Sequence, residues 1–204
     1  MNFRNFEAAC RRSAADWCMR RSAGLRALLG NRPMFKARSY AYTFRTRFGS
    51  FCLSATSKGL YSLDIIAKRH TRDGGKQSQA PSRIYSLLRK TALQLQAYLA
   101  GEKVNFGRLP VDWTGLGPFG EGVLRELRKI PSGKTQSYQF LAQKAGKPQA
   151  ARAVGQILHR NRLPLIVPCH RIVPQGGGLG GFSSGVHWKK RLLKLERGRA
   201  DTQG

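Results

Sequence analysis

The residues with the clearest capacity for chemistry stand together at Pro168-Cys169-His170-Arg171, inside the apolar, β-branched run Leu165 to Val173. A buried cysteine is ordinarily an inert small hydrophobe, and Cys52 is read that way. Cys169 differs because an imidazole and a guanidinium follow it directly. A free thiol titrates near ~8.5, so only a few per cent is thiolate at neutral pH. A cationic setting, or a base reached through water, raises that fraction. Adjacency in sequence does not bring side chains together, so residue chemistry alone leaves Cys169 balanced between nucleophile and buried thiol.

Other chemistry is harder to support. Cys10, Cys18, Cys52 and Cys169 form no CxxC pair and no four-ligand zinc pattern, so neither a disulfide framework nor a metal is expected, and a reducing cytoplasm fits. Gly133-Lys134-Thr135 echoes the end of a P-loop, but Arg128 stands where its first glycine belongs. Gly176, Gly178 and Gly181 satisfy GxGxxG, yet they follow Pro174 and precede Phe182-Ser-Ser instead of opening a helix. Both read as turns.

The elements that must position Cys169 fall into two halves. Tyr42-Thr-Phe-Arg-Thr-Arg-Phe48 alternates, Phe51 to Thr56 follows, and Leu60 to Ile66 comes after the Lys58-Gly59 turn: a small antiparallel sheet. Arg69 to Pro81 reads as a loop. Ser82 is placed to cap a helix with the stripe Ile84, Leu87, Leu88, Leu95, Tyr98 and Leu99, ending at Gly101. This half reads as scaffold. In the second half Phe119, Val123, Leu127 and Ile130 lie at helical spacing before Pro131-Ser-Gly133. A short helix is expected from Thr135 to Ala145, stopped by Gly146, and another from Pro148 to about Leu158. Two short helices about such a turn outline a helix-turn-helix. Leu165 to Val173 reads as extended and buried, Gly176 to Gly181 as a tight loop, and Trp188, Leu192 and Leu195 as the stripe of a last helix.

The fold class expected is therefore α+β: a small N-terminal α/β domain at 34–116, antiparallel sheet plus helix, then a mostly helical domain with a helix-turn-helix at 117–198. A basic extension at 1–33 and a tail at 199–204 flank them. The extension is Arg-rich and acid-poor, as a transit peptide, a basic arm or a mis-assigned start would be, and it is given no function. The 204 residues suffice for one good core or one core plus a satellite. No apolar run approaches a membrane span. Thirty-seven Lys and Arg against ten acids give a formal charge of +27, with the basic residues spread along the chain. Such a field attracts polyanions, nucleic acid first among them.

Ile166-Val-Pro-Cys169-His-Arg-Ile-Val173 closely resembles the active-site signature of the O6-alkylguanine-DNA alkyltransferases, the methylated-DNA–protein-cysteine methyltransferases. Ile130-Pro-Ser-Gly-Lys-Thr-Gln-Ser137-Tyr138, Ala150-Ala151-Arg152-Ala153-Val154-Gly155, Asn161, Leu179-Gly180-Gly181 and Leu192-Leu193…Glu196 follow in that family's order and spacing. The resemblance is strong from about Phe119 to Gly198, weaker from about Tyr42, and absent from the first thirty-odd residues. It implies single-turnover, irreversible transfer of an alkyl group from O6-alkylguanine, with O4-alkylthymine a further candidate, to Cys169. No cofactor is implied. The implied partner is double-stranded DNA containing alkylated guanine, bound by a monomer with no membrane involved, in the cytoplasm or at the nucleoid; targeting of an organelle by residues 1–33 stays open.

The same resemblance assigns roles. Glu196 orients His170, which polarises Cys169 through a water, and Tyr138 gives its hydroxyl proton to the leaving guanine. The second helix of the helix-turn-helix approaches the minor groove, where Arg152 fills the hole left by a flipped nucleotide; Ala151 and Ser137 are further DNA-binding candidates. Backbone groups near Cys169, Ile172 and Ser183 read the base edge, and Asn161 braces the active-site turn. Taken alone, Arg152 reads as a solvated or phosphate-binding side chain, Glu196 as half of a helix-surface ion pair, and Tyr138 as a core residue. Two positions depart from the family pattern. Arg162 replaces a typical proline, which loosens the turn and adds a basic group near DNA, and Phe182 stands where tyrosine is common. Competing functions are a non-catalytic alkylguanine sensor, which would replace the cysteine, a helix-turn-helix transcription regulator, and a cysteine hydrolase.

Overall fold

The computed structural model describes residues 39–66 and 80–198. The basic extension, Cys10, Cys18, the tail and most of the Arg69 to Pro81 loop lie outside the described residues.

Strands β1 (Tyr40–Thr46), β2 (Gly49–Thr56) and β3 (Gly59–Ile66) form an antiparallel sheet in that order. The alternating residues pair as hairpins: Phe44 faces Phe51 across β1–β2, and Leu53 faces Leu63 across β2–β3. β2 lies in the middle and is buried from Ser50 to Thr56. Cys52 on it is buried and forms no disulfide among the described residues.

Helix α1 (Ser82–Ala100) covers the sheet with Ile84, Leu88, Leu95, Tyr98 and Leu99. Ser82 does not cap it. Pro81 occupies that position, and its carbonyl takes the N–H groups of Ile84 and Tyr85 at 2.8 and 3.0 Å, so no hydroxyl is needed. The expected stop holds, with Gly101 left-handed at φ 112°.

The chain then runs back along β3. The Leu60 N–H donates to the Pro110 carbonyl at 2.9 Å and the Asp112 N–H to the Leu60 carbonyl at 2.8 Å. Arg128 clamps this return segment, its guanidinium donating to the carbonyls of Phe106, Gly107 and Leu109 at 2.8–3.0 Å. The residue that ruled out a P-loop is a staple between the halves.

Helices α2 (Pro118–Leu127), α3 (Tyr138–Lys144), α4 (Ala151–His159) and α5 (Val186–Arg197) make up the second half. α3 and α4 pack on each other and on α2, giving the expected helix-turn-helix outline. Two boundaries differ from expectation. α3 starts at Tyr138 and not Thr135, because Gln136–Ser137 is strand β4, parallel to β5 (Ile172–Val173), and the Ser137 hydroxyl caps the helix by accepting the Phe140 N–H. α4 starts at Ala151 and not Pro148. Gly146, left-handed at φ 78°, sends the chain into a turn closed by Ala150 N–H to the Lys147 carbonyl before the helix can begin.

The run Leu165 to Val173 is buried but not extended, apart from β5. Leu165 is the non-glycine residue with positive φ, 72°, among those described. Successive tight turns carry Val167 N–H to Leu163 O and Cys169 N–H to Val167 O, and Cys169–Arg171 forms one 3-10 turn. With Pro164 and Pro168 unable to donate to a ladder, the β-branched residues fill the core as a knot. The apolar core runs continuously through both halves.

Candidate active site

The knot places Cys169 at the head of a 3-10 turn, buried, on the wall of a pocket of about 100 Å³. Tyr138, the first residue of α3, reaches the same pocket because β4 ties it to β5 beside the cysteine. Gly155 of α4 also lines it, and a Cβ there would meet the Tyr138 ring at 3.9 Å, an ordinary van der Waals contact. Phe182 and Ser183 close the far side, where Ser183 is exposed.

Asn161 does more than brace. Its Oδ1 accepts the Leu163 N–H at 3.0 Å, and its amide donates to the Val167 carbonyl at 2.8 Å and to the Cys169 Sγ at 3.2 Å. Burial pushes the Cys169 thiol above its ordinary value, while the Asn161 bond and the Lys189 charge oppose that rise. The resting group is therefore a thiol, and a base must take its proton.

His170 follows Cys169 in the same 3-10 turn. His170 is fully buried, and its Nε2 stands 3.1 Å from Glu196 Oε1. Glu196 is buried too, not at the helix surface. Burial would raise its pKa, but His170 and Arg171 outweigh burial and hold it far below the usual carboxylate range. Arg171 reaches Glu196 through Nε and NH2, at 2.7 Å for the shortest bond, and gives its NH1 to the Ile130 carbonyl at 2.6 Å. Arg171 thus serves the carboxylate rather than the thiol. The Gly133 N–H adds a bond to Glu196 Oε2 at 3.1 Å, so the Gly133-Lys134 turn takes part in the site.

Since an ionised carboxylate only accepts, Nε2 carries the hydrogen. Burial, then Arg171 and Lys189, pushes His170 below its ordinary value against the pull of Glu196, so the imidazole is neutral. Its Nδ1 is then a bare acceptor, buried and without a hydrogen-bond partner among the described residues. Tyr138 is pushed up by burial and by the Cys169 charge, and so keeps its proton.

Of the remaining candidates, Ile172 is buried in β5 and its carbonyl accepts from Lys189. The Ser137 hydroxyl accepts the Phe140 N–H at the start of α3 and keeps its own hydrogen to donate. Ala151 and Arg152 open α4, and Arg152 is exposed, on the helix-turn-helix and outside the Cys169–His170–Glu196 cluster. Arg162 is held by the first half of the molecule. Its guanidinium lies 4.2 Å over the Tyr61 ring and donates to the Thr114 carbonyl at 3.0 Å, bridging the halves.

Two residues escaped the sequence reading. Lys189 is fully buried, its Nζ 2.5 Å from the Ile172 carbonyl and its charge felt by Cys169. It precedes Glu196 by two helical turns, on the same face as Leu192 and Leu193; a lysine on that stripe was the available signal. Tyr98, read as core, donates its hydroxyl to Glu196 Oε1 at 2.6 Å across 98 positions of sequence. The first half is more than scaffold.

A helix-turn-helix beside a pocket lined by a buried thiol, with a histidine–glutamate pair in the same core, is the arrangement of a DNA-directed protein with a reactive-site cysteine candidate. Two family models match: the 6-O-methylguanine DNA methyltransferase ribonuclease-like domain over residues 39–113, and its DNA binding domain over 118–198. The constitutive methylated-DNA–protein-cysteine methyltransferase of Bacillus subtilis is 42% identical over 165 residues, 78% of this chain and 96% of its own length. The Methanosarcina barkeri enzyme of that name is 36% identical over 152 residues, 72% of this chain and 90% of its own. The Mycobacterium tuberculosis OGT in complex with DNA superposes with a TM-score of 0.65 at 32% identity, covering 78% of this chain and 93% of that one. The chain belongs to the 6-O-methylguanine DNA methyltransferase family. It is a methylated-DNA–protein-cysteine S-methyltransferase of direct-reversal DNA repair.

Proposed function

We propose that Cys169 is the acceptor, that O6-alkylguanine in double-stranded DNA is the donor, and that one monomer repairs one lesion. The observation that carries this reading is the buried cluster at the pocket: Cys169 on its wall, and His170, next in the same 3-10 turn, bonded to Glu196, within a helix-turn-helix protein.

The target base is flipped from the stack into the pocket, and Arg152 fills the gap it leaves. His170 Nδ1 takes the thiol proton through a water, while Glu196 holds the ring and balances its new charge. Asn161 and Lys189 stabilise the thiolate with a hydrogen bond and a nearby charge. Sγ attacks the sp3 carbon bonded to O6; the S–C bond forms as the C–O6 bond breaks, and the electron pair leaves with the guanine. Tyr138 donates its proton to that guanine and recovers one from the imidazolium. The thioether formed is not hydrolysed, so the protein is consumed. The free thiol suits a reducing compartment, the cytoplasm.

The test is direct. Incubated with an oligonucleotide duplex bearing O6-methylguanine, the protein gains the mass of one methylene on the peptide holding Cys169. Cys169→Ala binds the duplex and leaves the methyl group in place. Lesion loss in that variant, or binding by the parent without a mass change, would overturn the reading.

A further inference from the structure

Glu196 Oε1 is crowded. It takes the Tyr98 hydroxyl at 2.6 Å, Arg171 NH2 at 2.7 Å and His170 Nε2 at 3.1 Å. Tyr98 is also fully buried, its ring held edge-on against Phe106 at 5.4 Å between centroids. Its hydroxyl stands 3.4 Å from His170 Nε2. A lone tyrosine hydroxyl in a core would need any partner it could find. This one is aimed from helix α1 of the first half into the carboxylate that serves the base of the second.

We propose that Tyr98 is a positioning residue of the transfer reaction, which shares the Glu196 carboxylate with His170 and so keeps the imidazole neutral and ready for the thiol proton. The inference rests on the roles given above to Cys169, His170 and Glu196. A hydrogen bond to one lone pair of a carboxylate draws charge toward the donor and leaves less to stabilise an adjacent imidazolium. The Tyr98 proton is committed to Glu196, so its oxygen faces Nε2 with lone pairs, which favours the tautomer with hydrogen on Nε2 and none on Nδ1. The groups facing His170 are then Glu196 and Lys189 from α5, Arg171 and Cys169 from its own turn, and Tyr98 from α1. Glu196 alone favours the charged ring, and Tyr98 moderates it.

Tyr98→Phe keeps the ring and removes the hydroxyl. The sign follows: more of the Glu196 charge falls on His170, the ring protonates at higher pH, and a protonated ring cannot take the thiol proton. The acid limb of the single-turnover pH–rate profile should move up by roughly one unit, so the methyl-transfer rate should fall about tenfold on that limb and approach the parent rate at neutral and alkaline pH. DNA affinity should not change. In a Glu196→Gln background the Tyr98→Phe change should add nothing, since the two act as one unit. Should Tyr98→Phe fold poorly, a fluorinated tyrosine at 98, with a more acidic hydroxyl, should move the acid limb to lower pH. A slow Glu196→Gln variant beside an unshifted Tyr98→Phe profile sinks this proposal alone, as does a loss uniform across pH. A Glu196→Gln variant as fast as the parent sinks the relay itself.

Discussion

At the residue scale the site is an arrangement of one thiol, one imidazole and one carboxylate whose environments are pushed apart. Burial keeps the Cys169 proton on and the His170 proton off, and four donors keep Glu196 ionised in a place where burial alone would neutralise it. A buried carboxylate of this kind is costly to disturb. Glu196→Gln would leave the Arg171 charge without its counter-ion, at a cost of about 3–5 kcal/mol. The pH dependence follows from the sign of the shift. The Glu196 value is depressed in the folded protein, so its contribution is fully present above the ordinary carboxylate range and is lost as pH falls through the folded value. Chemical denaturation of parent and Glu196→Gln should therefore give a stability gap that is flat from about pH 5 to 8 and narrows progressively as pH falls below about 4. A gap that closes near pH 6 would assign the stability to His170 instead. The reactive side chains were legible because three of them are consecutive and the rest follow in a recognisable order. The burial of Glu196 was not, since a glutamate among Lys194 and Arg197 on a helix reads as solvated until α5 is seen packed on the 3-10 turn.

At the element scale the knot from Leu163 to Arg171 matters most. Composition read it as extended, because Ile166, Val167, Ile172 and Val173 are β-branched and apolar; two prolines, the Asn161 bonds and the positive φ of Leu165 made it a series of turns. A residue such as leucine held at positive φ costs about 1–3 kcal/mol and persists only where its surroundings over-determine it. Here part of that determination comes from the other half of the molecule: the Leu63 N–H donates to the Arg162 carbonyl at 2.8 Å, one residue past Asn161. Arg162 completes the strap with its stacking on Tyr61 and its bond to Thr114. Arg162→Ala should thus lower stability by roughly 1–3 kcal/mol, from a lost cation–π contact and a lost charged hydrogen bond. Affinity for undamaged duplex should stay as it is. The two measurements separate the readings, because an arginine that touched phosphate would lose affinity and little stability. Sequence reasoning put this side chain near DNA because its neighbour Asn161 belongs to the site; the partner that captures it, Tyr61, is a hundred residues away and left no trace in local pattern.

At the scale of the whole molecule, charge and shape divide the labour of finding a lesion. A net charge of +27 on 204 residues predicts association driven by counterion release, with affinity for duplex falling steeply from low to moderate salt. That field is diffuse and carries no lesion preference, which must come from the pocket and from whatever holds the base outside the stack. Arg152 is where the two contributions can be told apart. It is exposed at the second position of α4, and the role proposed for it, filling the vacated stack, would hold the flipped state rather than neutralise phosphate. For Arg152→Ala the expected outcome is weaker binding and slower repair of the O6-methylguanine duplex, with the slope of log affinity against log salt unchanged. A phosphate contact would behave otherwise: its loss would weaken all duplexes alike and reduce that slope by about one. Affinities of parent and variant for damaged and undamaged duplex, each measured at several salt concentrations, decide between them. A slope reduced equally on both duplexes would return Arg152 to the general basic surface and leave the flipped base to be held by the pocket alone.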